Sequence, residues 1–248
     1  MSGATQPRVA LITGAAGTMG EATARRLVAD GYRVALSDVS DGRLKPLASE
    51  FGRVACAIAA DLSQQGEADR VVVEAEKALG PIDILVNNAG VLSNLKSADT
   101  TLSEWRRVLA INLDASFLLS RRVLPGMKER RFGRIVNVCS LAMKSGGLTA
   151  GTAYTTSKGA LAALTFSLAR EAAPFGVTVN AVSPAYVKTP MVSEQLTEAQ
   201  RQALLALIPV GRFCEPEEFA HCVAFLISPL SGFITGEILD LNGGLHFD

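Results

Sequence analysis

Arg8-Val9-Ala10-Leu11-Ile12-Thr13-Gly14-Ala15-Ala16-Gly17-Thr18-Met19-Gly20 decides the fold. Arg8–Ile12 is a short apolar run rich in β-formers. Met19–Asp30 carries the apolar spacing of a helix. Between them the glycines let the chain turn tightly and let backbone N–H groups approach a pyrophosphate at the helix N-terminus. A plain strand-to-helix turn uses glycine too, so the functional reading rests on the strand, glycines and helix occurring together.

Outward from this turn the same alternation repeats. Strands are expected at Arg33–Asp38, Arg53–Ile58, Asp83–Val86, Gly133–Cys139, Val177–Val182 and Glu237–Leu241. Helices are expected at about 64–79, at Leu102–Lys128 with a bend before Pro125, at Thr152–Ala173 and at Pro216–Ile227. Strands apolar on both faces suit a parallel sheet covered by helices on both sides. Successive strand–helix–strand units make it a doubly wound α/β sheet, a Rossmann fold. No linker or repeat divides the 248 residues, so one domain is expected over 1–248. Ligands of such sheets bind beyond the C-terminal strand ends, and chemistry is sought there.

Composition narrows the classes. Lys and Arg number 24 against 24 Asp and Glu, and this zero balance argues against a nucleic-acid binder. The densest basic stretch, Lys128 with Arg130, Arg131 and Arg134, reads as a solvated helix end rather than an anion site. Charged residues make up 19%, below the ~25% of an average globular chain, which fits a surface partly covered by other subunits. Cys56, Cys139, Cys214 and Cys222 show no C-x-x-C spacing, so reduced thiols and a cytoplasmic location are expected. Two histidines make no histidine-rich metal site, and no metal is expected. Met1–Arg8 lacks the apolar core of a signal peptide. The longest charge-free stretch, Ala172–Val187, is broken by Pro174, Gly176, Asn180 and Pro184, so no membrane span is expected.

The strand ends carry the candidate cofactor residues. Asp38 closes the second strand, 24 residues after Gly14. A carboxylate there accepts hydrogen bonds from the adenosine ribose and repels a 2′-phosphate, so the cofactor expected is NAD. A turn or helix-cap aspartate would read the same way. Asp61, before Leu62, either touches adenine or caps the next helix. Asn87-Asn88-Ala89-Gly90 fits a cofactor floor and equally an ordinary turn.

The reactive candidates follow the fifth strand. Tyr154 and Lys158 are four residues apart and project from one helix face. An ammonium ~4 Å from the phenol at an effective dielectric of ~20 would favour the phenolate by roughly 4 kcal/mol, about three pKa units. That would bring tyrosine into the range of general acid–base work. Ser140, fourteen residues earlier, would hydrogen-bond a substrate oxygen as charge develops on it.

Taken together, Thr13–Gly20, Asp38, Asn87–Gly90, Asn112, Ser140, Tyr154, Lys158 and Pro184–Thr189 resemble the short-chain dehydrogenase/reductase family in order and spacing across the chain, as do Ile234-Thr235-Gly236 and Asn242-Gly243-Gly244. The resemblance implies that Tyr154 is the acid/base. Lys158 would bind the nicotinamide ribose and lower the Tyr154 pKa, and Ser140 would orient the substrate. Asn112 would hold a water linking Lys158 to solvent, and Thr189, beyond Pro184 and Val187, would contact the carboxamide. It also implies a homotetramer. Two positions depart from the family pattern. Thr18 stands where T-G-x-x-x-G-x-G has its middle glycine, with Gly17 beside it, and Ala185 replaces the glycine after Pro184.

The expected activity is hydride transfer between NAD and a secondary alcohol or ketone. The alternatives are an NADPH-dependent 3-oxoacyl-thioester reductase, which Asp38 opposes, and a non-catalytic cofactor-binding protein, which the Ser140/Tyr154/Lys158 set opposes. Leu92, Leu141, Met143, Tyr186 and Met191 are the apolar candidates around a neutral, hydrophobic small-molecule substrate. The apolar-rich stretch at about 189–213 reads as a lid, or as an amphipathic helix packed on the body.

Overall fold

The computed structural model describes residues 7–189 and 197–247. Seven strands form one parallel sheet: β1 (Val9–Thr13), β2 (Arg33–Asp38), β3 (Ala55–Ala59), β4 (Ile82–Asn87), β5 (Gly133–Val138), β6 (Val177–Pro184) and β7 (Ile238–Leu241). Their order is β3-β2-β1-β4-β5-β6-β7. Helices α1 (Thr18–Ala29), α2 (Asp41–Phe51), α3 (Glu67–Leu79), α4 (Leu102–Leu109), α5 (Ala115–Glu129), α6 (Ala142–Ser145), α7 (Thr152–Ala172), α8 (Glu198–Leu207) and α9 (Pro216–Ile227) connect them. This is the doubly wound Rossmann architecture read from the sequence.

Alternation along each strand divides the core. Val9 and Leu11 of β1 face α3, α5 and α7, meeting Val71, Val72, Leu119, Val123 and Leu168. Ala10 and Ile12 face α1, α2 and α9, meeting Leu27, Leu44, Phe219 and Val223. Every residue of β5 and β6 is buried, which is why these strands lack alternating polarity. Each large apolar side chain so buried contributes ~1.5–3 kcal/mol, so both faces must stay covered.

The chain leaves β1 toward β2 on one side, while β4 continues the sheet on the other. The crevice at this reversal lies above the C-terminal ends of β1 and β4, where such sheets take ligands.

One expectation is corrected, and one helix was not foreseen. Leu102–Lys128 is not one helix bent before Pro125, which lies inside the continuous α5. The interruption is a π-turn at Ala110–Asp114, and it carries the fully buried Asn112. A π-turn widens the helix by one residue and re-aims side chains, which periodicity counting does not register. Helix α2 was not expected, because Pro46 within it hides its pattern. In the expected lid, α8 is a helix, while Met191 falls in 190–196, outside the described residues.

Candidate active site

The glycine turn is held by sterics and by Thr13. Gly14 adopts φ +63°, and a Cβ on it would lie 2.9 Å from Ala89 Cα. A Cβ on Gly20 would meet the Gly14 carbonyl at 2.2 Å, so the helix can approach the turn only without one. The Thr13 hydroxyl accepts hydrogen bonds from Asn88 N (3.1 Å) and Ala89 N (3.0 Å). Asn88 Nδ2 donates back to Thr13 O (2.9 Å) and Gly14 O (3.1 Å). The ends of β1 and β4 are thereby locked together beneath the crevice. Thr13 was not singled out as a site residue from the sequence, where a threonine ending a strand carries no signal of this role.

Helix α1 begins above this floor. Its N-cap, Gly17, brings no side-chain acceptor, so the N–H groups of the first turn, from Thr18, Met19 and Gly20, are left for a ligand. Thr18 is the first helical residue, and the Gly17 backbone is extended (φ −79°). The glycine-to-threonine departure therefore falls where no left-handed backbone is needed. Asp38 points at the same turn: its Oδ2 accepts from Ala16 N at 3.0 Å and its Oδ1 from Ser40 N at 3.2 Å. These features fit the pyrophosphate and ribose of a nicotinamide dinucleotide.

Asp61 caps no helix, since α3 starts at Glu67 with Gly66 as its N-cap. Its carboxylate instead closes a turn, accepting from Ser63 N (3.0 Å) and Ser63 Oγ (2.7 Å). Leu62 is buried in the core under β3, so its side chain faces away from the crevice.

At the reactive end a cleft of about 320 Å³ brings together Ser140, Tyr154 and Lys158. Asn88, Gly90, Pro184, Val187, Thr189 and Met19 also line it, as do Leu92, Leu141 and Tyr186. The Ser140 hydroxyl lies beside the Tyr154 phenol and favours its ionised form, and Ser140 Oγ accepts from Ala142 N at 3.2 Å. Lys158 Nζ donates to Val138 O at 2.7 Å and lies 5.7 Å from the centre of the Tyr154 ring. Met143 does not reach the cleft. It lies in α6 and packs against the cluster of Cys139, Leu161, Ala162 and Ala181.

The electrostatics correct one expectation. Burial holds the Tyr154 phenol above its ordinary value, and the Ser140 hydroxyl beside it offsets this only in part. Burial also pulls the Lys158 ammonium down to about 8. The Lys158 ammonium donates to the Val138 carbonyl, and burial is the largest influence on the phenol. Desolvation outweighs the stabilisation that its neighbours give the phenolate.

Asn112 braces this constellation. Its Oδ1 accepts from Val91 N (2.8 Å), and its Nδ2 donates to Val91 O (3.0 Å) and Ser157 Oγ (3.1 Å). Ser157 Oγ in turn donates to Tyr154 O at 2.7 Å. A Cβ on Gly90 would sit 3.3 Å from Asn112 Oδ1 and 3.4 Å from Lys158 Nζ, so glycine keeps that narrow space clear.

The start of α7 is clamped from outside. Lys96 Nζ donates to Gly147 O (3.0 Å) and Ala150 O (2.7 Å), and Gly151 N donates to Ser93 O (2.7 Å). Gly151 admits no side chain, because a Cβ would lie 2.2 Å from Leu95 O. None of these loop contacts has a periodic signature in the sequence. Ala185 takes no left-handed backbone, since Arg131 is the only non-glycine residue with positive φ among those described. Its N–H donates to Leu241 O at 3.0 Å, so glycine is not required there.

Residues 14–246 match the family model described as Enoyl-(Acyl carrier protein) reductase. The chain is 38% identical over 241 residues to an acetoacetyl-CoA reductase of Shinella zoogloeoides, covering 97% of this chain and 99% of that one. It is 37% identical over 244 residues to a 3-oxoacyl-[acyl-carrier-protein] reductase of Aquifex aeolicus, covering 97% and 98%. A crystal structure from Brucella melitensis, described as a short-chain dehydrogenase/reductase of the glucose/ribitol dehydrogenase type, superposes with a TM-score of 0.91 at 36% identity, covering 97% of each chain.

The chain belongs to the short-chain dehydrogenase/reductase family. As a member of it, the protein is an oxidoreductase that works with a nicotinamide cofactor. Among the described residues, no helix of this dehydrogenase/reductase is long and apolar enough to cross a membrane.

Proposed function

We propose that this short-chain dehydrogenase/reductase is a cytoplasmic, NADH-linked reductase of short 3-oxoacyl thioesters. The observation that carries the chemistry is the Ser140–Tyr154 hydroxyl pair on the wall of an apolar cleft, with the buried Lys158 behind it. The activities named for the relatives, acetoacetyl-CoA and 3-oxoacyl-carrier-protein reduction, favour a thioester over the free secondary alcohol expected first from the sequence.

Asp38 supports NAD(H). Its carboxylate, fixed by Ala16 N and Ser40 N, stands where a ribose would lie, and a 2′-phosphate would meet like charge. The free N–H groups of α1 and the Gly14–Gly20 cradle would hold the pyrophosphate. Val187 and Thr189 border the cleft on the side of β6, placed to meet the nicotinamide end. When bound, the reduced nicotinamide supplies the hydride.

The protein's own part is to orient and to move a proton. Ser140 Oγ–H donates to the 3-keto oxygen and polarises it. The Tyr154 phenol, kept protonated by burial, delivers its proton to that oxygen as it gains charge. Lys158 keeps a positive potential beside the resulting phenolate, which is then stabilised where the resting phenol is not. A raised phenol thus suits reduction: the acid form predominates before the step.

A second reading keeps one observation. Among the described residues lining the cleft, Lys158 is the only charged one, which suits a free neutral ketone as well as the acyl part of a thioester. The deciding experiment measures kcat/KM for acetoacetyl-CoA and for simple methyl ketones, each with NADH and NADPH. The proposal expects acetoacetyl-CoA with NADH to lead. A preference for free ketones returns the secondary-alcohol reading, and a preference for NADPH overturns the cofactor assignment.

The homotetramer belongs to this proposal. Leu230 and Phe233 stand fully exposed beside the sheet-edge strand β7, with Phe225 and Phe247 also uncovered. Phe117 on α5 and Phe166 on α7 are exposed as well. Self-association through these two faces would cover them.

A further inference from the structure

Two clefts open on either side of the segment that follows β6, and they share Ala185 and Tyr186. The first is the substrate cleft. The second measures about 140 Å³, and its walls are Ile208, Val210 and Leu241, with Cys214 and Asn242 beside them. No residue given a part in hydride or proton transfer lines it. Arg212 and Glu218 reach its rim but pair with each other at 2.6 and 2.7 Å, so they bring no net charge.

The half-buried ring of Tyr186 stands between the two spaces and is tilted against Phe213 with centroids 6.2 Å apart. Its backbone is held on both sides. Ala185 N donates to Leu241 O at 3.0 Å, Cys214 N to Tyr186 O at 3.0 Å and Lys188 N to Cys214 O at 2.8 Å. The backbone at the partition is therefore fixed, and the side chain at 186 decides whether the two spaces are separate or continuous.

We infer that Tyr186 is the wall that sets acyl-chain length, and that the alcove behind it is a subsite for the distal methylenes of a longer acyl chain, closed in this protein by the tyrosine ring. This rests on the thioester-reductase reading. Ile208, Val210 and Leu241 make the alcove mostly apolar, so an alkyl chain is the ligand it accommodates. At roughly 30 Å³ per water-sized group, its volume takes about four methylenes. Each methylene moved from water into such a space is worth about fourfold in binding.

The test is a chain-length series of acetoacetyl-CoA, 3-oxohexanoyl-CoA and 3-oxooctanoyl-CoA, run with NADH on wild type, Tyr186→Phe and Tyr186→Ala. Wild type and Tyr186→Phe are expected to lose kcat/KM as the chain lengthens. Tyr186→Ala is expected to reverse the order, gaining about fourfold per added methylene, chiefly through KM. Val210→Trp, a substitution at an exposed alcove position, is expected to cancel that gain when added to Tyr186→Ala. Tyr186→Leu, a milder truncation, must move the profile in the same direction, which keeps the test alive if Tyr186→Ala does not fold. Equal changes at every chain length, or a gain that survives Val210→Trp, overturn the inference. The same variants are also run on 2-butanone, 2-hexanone and 2-octanone. If wild type reduces ketones but no thioester, the thioester reading fails, and the chain-length role of Tyr186 is read from the ketone series.

Discussion

The Lys158 ammonium hydrogen-bonds the Val138 carbonyl at 2.7 Å while lying 5.7 Å from the centre of the Tyr154 ring. The cation is thus anchored to the strand end. It is fully buried and has no carboxylate among its hydrogen-bond partners, which is why its pKa falls to about 8. A buried cation of this kind serves chemistry at the expense of stability.

Lys158→Met should therefore stabilise the protein in the absence of ligands while abolishing useful activity. The fall from 10.5 to about 8 corresponds to roughly 3 kcal/mol, and losing the Val138 hydrogen bond returns ~1 kcal/mol of it. Below pH 8 both folded and unfolded wild type carry the proton, and burial costs its full amount. Between pH 8 and about 10.5 folding releases the proton, so wild-type stability rises with pH. The variant's advantage should be largest at pH 7 and vanish near pH 10.5. Thermal melts of both proteins across that range check this, and a variant less stable than wild type at pH 7 contradicts it.

Asp38→Asn keeps the side-chain shape and removes the charge. A charged acceptor for ribose hydroxyls contributes ~1.5–3 kcal/mol, so kcat/KM with NADH should fall roughly ten- to a hundredfold. With NADPH it should rise, because the repulsion is gone. Steady-state kinetics with both cofactors measure the ratio, and an unchanged ratio removes Asp38 from cofactor choice.

Thr13→Val is nearly isosteric but leaves the Ala89 N–H without its acceptor, while the Asn88 N–H keeps only the Val86 carbonyl. An unsatisfied buried group costs ~1–3 kcal/mol. The floor under the crevice should loosen, lowering Tm and weakening cofactor binding more than kcat. Calorimetry with cofactor titration would show it. Unchanged affinity would mean that the turn holds its shape without the Thr13 clamp.

The assembly is tested by light scattering at micromolar concentration, which should report four chains. Leu230→Glu with Phe233→Glu, beside β7, should lower that number. A monomeric wild type rejects the proposed tetramer.

What was legible in the sequence was what local chemistry writes there. The apolar runs marked the strands along the chain, and Gly14 and Gly20 marked a turn where a Cβ collides with backbone. Tyr154 and Lys158 shared a helix face because four residues make about one turn. Contacts between distant segments were not legible. The Lys96 clamp on Gly147 and Ala150 spans more than fifty residues. The packing of Leu62 and of Met143 depends on which face of a loop and of the short α6 meets the core. The direction of the Tyr154 shift was missed because a pair spacing says nothing about desolvation, and desolvation is its largest cause.

The most direct measurement is the rate of acetoacetyl-CoA-dependent NADH oxidation by wild type and Tyr154→Phe, with both substrates saturating. The phenylalanine keeps the ring and removes the only group assigned to proton transfer, so kcat should fall at least ~10²-fold while NADH affinity stays near wild type. Wild-type reduction should hold at neutral pH and weaken as Lys158 loses its proton near pH 8, while burial keeps Tyr154 protonated beyond that point. A Tyr154→Phe enzyme that turns over at near-wild-type rate would contradict the account.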